Sequence, residues 1–315
     1  MRIAVLVPVY NAGQYLKQCL DSVLTQTGVD LQVFCCDDGS QDDSLAILRE
    51  YAERYRNVRF VSQANKGAAA TRNRLLDELP KDVDAFAFMD ADDYIKAGMY
   101  AKLAEAMERT GADIAECEWN GAETVLEDMT LFLLKQTAPG RWISIRNKLY
   151  RRPSVGAFRF RESLSYEEDF LFNFEVHQAV RRKVLVPGNF YFYRVNPDSL
   201  THNLNYQRYF ESAAERIRLS CSEYLAMGKI PASLEIRFRH ELARDAFRMC
   251  LRKNLKNNSD KIHRHELFKL ARGFLIDLKS DFDVGADGLG PVQRMVYCCC
   301  RSGWYRMARL LVHLV

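Results

Sequence analysis

No stretch of the chain approaches the roughly 20 consecutive apolar residues that a membrane-crossing helix needs. No Cys-x-x-Cys pair occurs, and nine cysteines are an odd number with neither metal-like nor disulfide-like spacing. Structural zinc and a disulfide framework are thereby set aside, and buried free thiols in a reducing compartment are expected. Gly-x-Gly-x-x-Gly is missing after the first apolar run, where Tyr10-Asn-Ala-Gly13 stands instead, which excludes a dinucleotide-binding oxidoreductase. An early Gly-rich and basic triphosphate loop is also missing, which counts against a nucleotidyltransferase. Internal repeats, low-complexity segments and any recognisable nucleic-acid module are absent too. The opening Arg2-Ile-Ala-Val-Leu-Val-Pro-Val-Tyr10 has a short apolar part and no small-residue cleavage site. An amphipathic helix follows at once, so the segment reads as a first strand rather than a signal peptide.

What is present suits a globular protein. With 315 residues, 48% hydrophobic and 27% charged, the chain can hold one large domain plus an extension. The net charge of +4 hides an asymmetry: residues 205–315 carry 20 Lys and Arg against 12 Asp and Glu, whereas residues 1–204 carry 25 against 29. An acidic front part can hold a metal, and a basic tail suits anionic partners such as phospholipid head groups.

The first half alternates strand-like and helix-like segments. Ile3–Val9 is a continuous apolar run, and Leu16, Cys19, Leu20, Val23 and Leu24 then follow the period of a helix. Strands are expected at Leu31–Cys36, Val58–Ser62, Ala85–Met89 and Ile114–Trp119. Helices are expected from Ser40, with Leu45, Leu48, Ala52 and Tyr55 facing inward, and at Ala68–Leu79 and Ala97–Thr110. Repeated strand–helix units imply a parallel sheet with helices on both faces, and ligands of such sheets bind beyond the C-terminal strand ends. A domain boundary is placed near residue 205, with a first half at about 1–119 and a second at about 120–204. A wholly helical, basic region follows at 205–315.

Those strand ends carry the polar clusters Pro8-Val-Tyr10-Asn11, Asp37-Asp38-Gly39-Ser40 and Asp90-Ala-Asp92-Asp93. Three carboxylates within four residues repel one another unless something positive joins them, and a hard divalent cation gripping a diphosphate is a common joiner. Aspartate also caps helices, so an N-cap cluster ahead of Ala97–Thr110 is the competing reading of Asp90–Asp93 taken alone. A turn and cap likewise compete for Asp37 and Asp38. Convergence of three clusters on one edge favours a site.

The ordered series Val-Pro-Val-Tyr-Asn (7–11), Asp-Asp-Gly-Ser (37–40), Asn-Lys-Gly (65–67), Arg-Asn (72–73), Asp-Ala-Asp-Asp (90–93) and Glu-Asp-Phe (168–170) resembles family 2 glycosyltransferases. These are inverting enzymes of the α/β GT-A fold that act on nucleotide sugars in bacterial surface-polysaccharide synthesis. The resemblance covers about residues 1–200. It implies that Asp38 accepts the uracil N–H, that Tyr10 packs on the ring and that Asp37 shapes the pocket. Pro8, which is expected to end strand pairing, is grouped with Asn11, Lys66, Gly67 and Ala91 along the nucleotide sugar. Arg72 faces the nucleotide or its phosphates, and Asp90 and Asp92 match an Asp-x-Asp motif that holds Mn²⁺ or Mg²⁺. Asp92 would bind the metal directly, and Asp90 would hold ribose or sugar hydroxyls as well. Asp93 is extra to the motif and is assigned to capping the following loop.

The resemblance further makes Asp169 the base that takes the acceptor proton, with Glu168 orienting the acceptor or Asp169. Lys148 is placed near the diphosphate or acceptor, and His202 near an added metal ligand or a closing loop. A UDP-sugar donor is implied, with a hydroxyl of a glycan or lipid-linked oligosaccharide as acceptor. A catalytically inactive carbohydrate-binding relative would be expected to lose the metal motif or the base, and both are retained. In the tail, Trp304, Met307, Ala308, Leu311, Leu314 and Val315 share one helical face, with Arg306, Arg309 and His313 on another. That pattern fits an interfacial helix on anionic lipid, with packing on residues 205–290 or homodimerisation as the alternatives. The expected location is cytoplasmic, at the inner face of the bacterial membrane.

Overall fold

The computed structural model of the chain describes residues 1–119, 121–127, 144–194 and 196, with a scattering of helical positions between 208 and 298. The expected tail helix at 292–315 falls largely outside the described residues, as does the all-helical character of 205–315. Two compact units can be distinguished: Met1–Leu133 with Ile143–Asn203, and Leu134–Trp142 with Leu204–Val315.

In the first unit the elements run β1 (Arg2–Val9), α1 (Gly13–Leu24), β2 (Asp30–Asp37), α2 (Ser44–Arg54), β3 (Val58–Ser62), α3 (Ala68–Asp77) and β4 (Ala85–Phe88). They continue with β5 (Tyr94–Ile95), α4 (Met99–Thr110), β6 (Ile114–Trp119), β7 (Thr124–Leu126) and β8 (Lys148–Arg151). A single helical turn, Arg152–Val155, then leads to α5 (Glu168–Ala179), β9 (Lys183–Pro187) and β10 (Tyr191–Phe192). Eight strands form one sheet in the order β3-β2-β1-β4-β8-β6-β9-β7, and β10 pairs with β5. Pairing is parallel from β3 to β4 and between β6 and β9, and antiparallel where β8 sits between β4 and β6 and at the β7 edge. The mostly parallel α/β sheet expected from the alternation is therefore present. The antiparallel insertion of β8 is not legible from it, because Lys148-Leu-Tyr-Arg151 has no long apolar run.

Both faces of the central strand are covered. Ile3, Val5, Val7 and Val9 point into a core lined by α1, α2 and α4, while Ala4 and Leu6 point into a second core with residues of α3 and α5. That two-sided burial is why β1 reads as a continuous apolar run rather than an alternating one. The second core holds an aromatic cluster: Phe160 stacks on Phe172 at 4.2 Å, and Phe88 meets both edge-on at 5.3 and 5.8 Å. It fastens α5 to the end of β4.

Two local expectations need correction, and one competing reading falls away. Pro8 does not end β1, which runs on to Val9 with Pro8 in register with Cys36. The carbonyls of Arg2 and Leu6 serve the β4 side and that of Val9 serves β2, so the N–H that Pro8 lacks would face the β4 side, beyond the end of that ladder. The second helix opens at Ser44, not Ser40, because Ser40, Asp42 and Ser44 accept the backbone N–H groups of Asn11, Gly13 and Ala12. Its buried face is Ser44, Ile47, Leu48 and Tyr51 rather than the set built on Leu45. Finally, α4 is preceded by Gly98 in the left-handed conformation with no side-chain cap, so the Asp90–Asp93 cluster is not its N-cap.

A buried polar network stitches β6, β8, β9 and α5 together. Glu116 pairs with Lys148 at 3.3 Å and, more closely, with Lys183. His177 Nδ1 lies 2.6 Å from the Asn173 carbonyl, and its Nε2 lies 3.1 Å from Lys183 Nζ. Burial and the two lysines push the His177 pKa well down, so the ring is neutral, donating from Nδ1 and accepting at Nε2. Burial alone would raise the Glu116 pKa, but Lys148 and Lys183 outweigh it and hold it at about 2. A depressed carboxylate pKa stabilises the fold above its unfolded value of about 4.3 and loses that contribution as pH falls through the folded value. Glu116→Gln should therefore cost about 3–5 kcal/mol at neutral pH by leaving lysine charge uncompensated. Denaturant unfolding against pH should show the gap from the parent narrowing between about pH 4.3 and 2.

Candidate active site

Register brings the ends of β1, β2 and β4 to one edge, since Val9 lies beside Asp37 and Leu6 beside Phe88. On the β1–β2 side, Tyr10 stands 52% exposed, a free aromatic surface at the mouth of the edge. Asn11 adopts a positive φ of 48° and is clamped there: its N–H donates to Ser40 Oγ, and its Oδ1 accepts the Gln41 N–H at 2.8 Å. Asp37 accepts Ser40 N–H and Ser62 Oγ–H, so it shapes the turn and is buried. Buried Asp38 draws in the loop after β3: its Oδ1 accepts from Gln63 Nε2 and Lys66 N, and its Oδ2 from Gly67 N, each at 2.9 Å. A carboxylate has about four acceptor sites, so roughly one remains for a ligand N–H. Gly39 has φ +76°, and a Cβ there would lie 3.0 Å from Asn65 N, so only glycine lets this loop close on the turn.

The β4 side is dominated by charge. Arg72 on α3 reaches Glu168 Oε1 at 2.6 Å and Asp90 Oδ1 at 3.5 Å, with its guanidinium over the Phe160 ring. Arg146 reaches Asp90 Oδ2 at 3.3 Å and Asp93 Oδ2 at 3.5 Å. Asp93 is buried and also accepts Tyr191 Oη–H at 2.6 Å and Arg194 N–H at 2.8 Å. Burial first, and then Asp90, raise its pKa to about 7. It therefore anchors the segment after β9, rather than capping the loop that follows it. Asp92 accepts from Asn196 Nδ2 at 3.1 Å and makes no ion pair among the described residues, though Arg146 acts on it from further off. Burial and the neighbouring Asp90 push its pKa up. Glu167, just before α5, is held at φ +65°, a conformation costly for a residue with a Cβ. Glu168 and Asp169 form the first turn of α5, and Asp169 Oδ1 accepts the Phe170 N–H at 2.8 Å. Its Oδ2 accepts no hydrogen bond among the described residues.

The family model described as Glycosyl transferase family 2 matches residues 4–166. The chain is a family 2 glycosyltransferase. Among its relatives, the uncharacterised glycosyltransferase EpsJ of Bacillus subtilis is 28% identical over 220 residues, 63% of this chain and 62% of that protein. The uncharacterised glycosyltransferase YibD of Escherichia coli is 38% identical over 125 residues, 39% of this chain and 36% of that protein. This glycosyltransferase thus spans less than two thirds of the length of either. The crystal structure of Staphylococcus aureus TarS 1-349 in complex with UDP-GlcNAc superposes with a TM-score of 0.74 at 18% identity, covering 99% of this chain and 91% of that one. At that identity the likeness shows the fold alone, which is GT-A.

Within this glycosyltransferase the structure brings Tyr10, Asp38, Arg72, Asp90, Asp92, Glu168 and Asp169 to one strand edge or to the ion pairs that reach it. Pro8 and Ala91 contribute backbone and packing, Ala91 being buried, and the Lys66–Gly67 backbone holds Asp38. Lys148 needs correction: it is buried, its ammonium is engaged by Glu116, Asn147 Oδ1 and the Ser144 carbonyl, and a phosphate contact would have to break that pair. His202 lies outside the described residues. Arg146, Tyr191, Arg194 and Asn196 were not anticipated. Arg146 sits two residues before Lys148, and the missed strand β8 concealed which of the two faces the acids. Replacing Asp38 by Asn turns one acceptor into a donor facing Gly67 N–H and should cost about 1–3 kcal/mol. Hydrogen exchange should show faster amides at Lys66 and Gly67 in that variant.

Proposed function

We propose that this enzyme transfers one sugar, with inversion, from a UDP-sugar to a hydroxyl of a glycan or lipid-linked oligosaccharide in bacterial surface-polysaccharide synthesis. One observation carries the reading: of the three carboxylates after β4, Asp92 is the one that makes no ion pair among the described residues. Asp90 and Asp93 have arginines. A half-buried carboxylate whose ionisation is opposed by its neighbour fits a hard cation, and Mg²⁺-type sites are completed by one or two carboxylates plus substrate phosphates. The donor set is all oxygen, so Asp92, with Asp90 beside it, would hold Mn²⁺ or Mg²⁺. When bound, that ion supplies Lewis-acid neutralisation of the departing diphosphate.

The chain's own groups would do the rest. Tyr10 offers its exposed ring to the base, and Asp38 its remaining acceptor site to the uracil N–H. Arg72 fixes Asp90 and Glu168 at a set separation, so the donor end and the first turn of α5 move as one piece. Asp169 takes the proton of the acceptor hydroxyl on Oδ2, while Oδ1 is held by the Phe170 N–H. TarS, whose structures include complexes with UDP and UDP-GlcNAc, supports the uridine donor. A mannosyltransferase of Pyrobaculum calidifontis in complex with GDP-Man and Mn²⁺, with a TM-score of 0.54 at 14% identity, shares the fold. Relatives named chondroitin synthase of Escherichia coli and poly(ribitol-phosphate) beta-glucosyltransferase of Bacillus spizizenii support a polymeric acceptor.

We place the catalytic domain at 1–204 and a basic helical region at 205–315. No helix among the described residues is long and apolar enough to cross a membrane. Peripheral contact with anionic lipid through 292–315 at the cytoplasmic face belongs to the same proposal, with a homodimer as the alternative use of that segment and no nucleic-acid partner. The decisive experiment is calorimetry of UDP with and without Mn²⁺, beside a donor-hydrolysis screen over nucleotide sugars. Metal should tighten UDP binding in the parent and do nothing in Asp92→Asn; equal binding with and without metal removes the metal from the proposal. Asp169→Asn should lower turnover by roughly 10²–10⁴-fold at unchanged UDP affinity. Lost affinity with retained turnover would move Asp169 to the donor side.

A further inference from the structure

Arg146 lies in the turn leading into β8. Its N–H and its Nε both donate to Ser144 Oγ, at 3.2 and 2.9 Å. The carbonyl of the same serine accepts from Lys148 Nζ, which Glu116 holds from within the core. The guanidinium is therefore aimed by a braced turn rather than by a mobile stem. Nη1 faces Asp90 and Asp93, and the group lies over the Tyr193 ring at 4.7 Å and near that of Tyr191 at 5.9 Å. Nη2 makes no hydrogen bond among the described residues, and 24% of the side chain is exposed.

The other cations at this cluster are engaged. Arg72 directs both terminal nitrogens at Glu168 and Asp90, and its Nε, which has no hydrogen-bond partner among the described residues, is fully buried and out of a ligand's reach. Arg194 donates from Nε to the Asp92 carbonyl and from Nη2 to Gln18, and its guanidinium lies over the Tyr15 and Tyr94 rings at 4.9 and 5.6 Å. An anionic diphosphate approaching three carboxylates needs positive charge that still has donors to give, and a planar fork matches phosphate oxygens in a way an ammonium does not.

We propose that Arg146 binds the phosphate oxygens of the donor's diphosphate, whereas the family resemblance had placed Lys148 near the diphosphate or acceptor. The inference rests on the nucleotide-sugar reading above and adds a residue to it. Arg146 neutralises part of the acid cluster through Nη1 and presents Nη2 to the ligand, while Lys148 and Ser144 act as positioning residues behind it.

The test uses the full chain and two probes, UDP and uridine, in calorimetry or ligand-observed NMR at fixed Mg²⁺. Arg146→Gln keeps the shape and removes the charge, and should weaken UDP by about tenfold or more while leaving uridine unchanged. Arg146→Lys should recover only part of the loss. UDP and uridine weakening together would make Arg146 a structural residue, and UDP affinity within about twofold of the parent would remove it from the phosphate site; either result overturns the proposal. A phosphate supplied by the acceptor instead would leave UDP binding unchanged, which is the same refutation. Should Arg146→Gln melt early, Ser144→Ala, which releases the guanidinium without deleting it, should show the same selective loss of UDP, and an unaltered UDP affinity there would refute the positioning. Parent protein that binds neither UDP nor any other nucleoside diphosphate would instead refute the donor reading itself, a result distinct from failure of the Arg146 assignment.

Discussion

Like-charge crowding after β4 is the constraint around which the site is arranged. Three aspartates follow a strand that is buried on both faces, where their mutual repulsion is poorly screened. Arginines from two separate elements relieve it, Arg72 from α3 and Arg146 from the turn before β8, and they do so unevenly. Asp90 receives both, Asp93 receives one together with a tyrosine hydroxyl and a backbone N–H, and Asp92 receives an amide only. Asp92 is thus left without an ion pair among the described residues, and burial first, then Asp90, raise its pKa. Such a group costs the resting protein stability, and a divalent cation would relieve that cost.

The arginines can do this only because other forces hold their carriers. Phe88, Phe160 and Phe172 bind α5 to the end of β4, which brings Glu168 within reach of Arg72 across 96 residues of sequence. On the far side of the sheet position, Glu116, Lys148 and Lys183 cross-link β6, β8 and β9 in the interior. A buried ion-pair network of this kind contributes little net stability against an apolar alternative, but breaking it is expensive. Its effect is to fix where β8 begins, and with it the turn that carries Arg146. Positive φ at Glu167, just before α5, is backbone strain that the surrounding packing sustains, whereas Asn11 takes the left-handed conformation at little cost.

Local chemistry was legible in proportion to how local its cause was. The strand at Ile114–Trp119 has the bounds its sequence suggests, and the first four strands fall within a residue of expectation, because two-sided burial leaves an uninterrupted apolar run. Helix starts were less legible. Ser40 and Asp43 have the look of a capping pair, yet residues 40–44 are drawn off to satisfy the backbone of Asn11, Ala12 and Gly13 in another loop. Lys148 shows the same limit: as a residue type it suits phosphate, and only the position of Glu116 in the fold decides that its charge is turned inward.

By itself the sequence determined the strand–helix alternation, the parallel half of the sheet and the acidic and aromatic residues at its edge. Each follows from periodicity or residue chemistry within a few positions, and the ordered motifs marked the family. Tertiary structure alone decided which charge meets which. The antiparallel β8 between β4 and β6, the pairing of Arg72 with Glu168 and of Arg146 with Asp90, and the anchoring of Asp93 by Tyr191 and Arg194 join residues 32 to 101 positions apart. Coulomb and hydrogen-bond energies depend on distance in space, and no spacing along the chain encodes that distance until the core has packed.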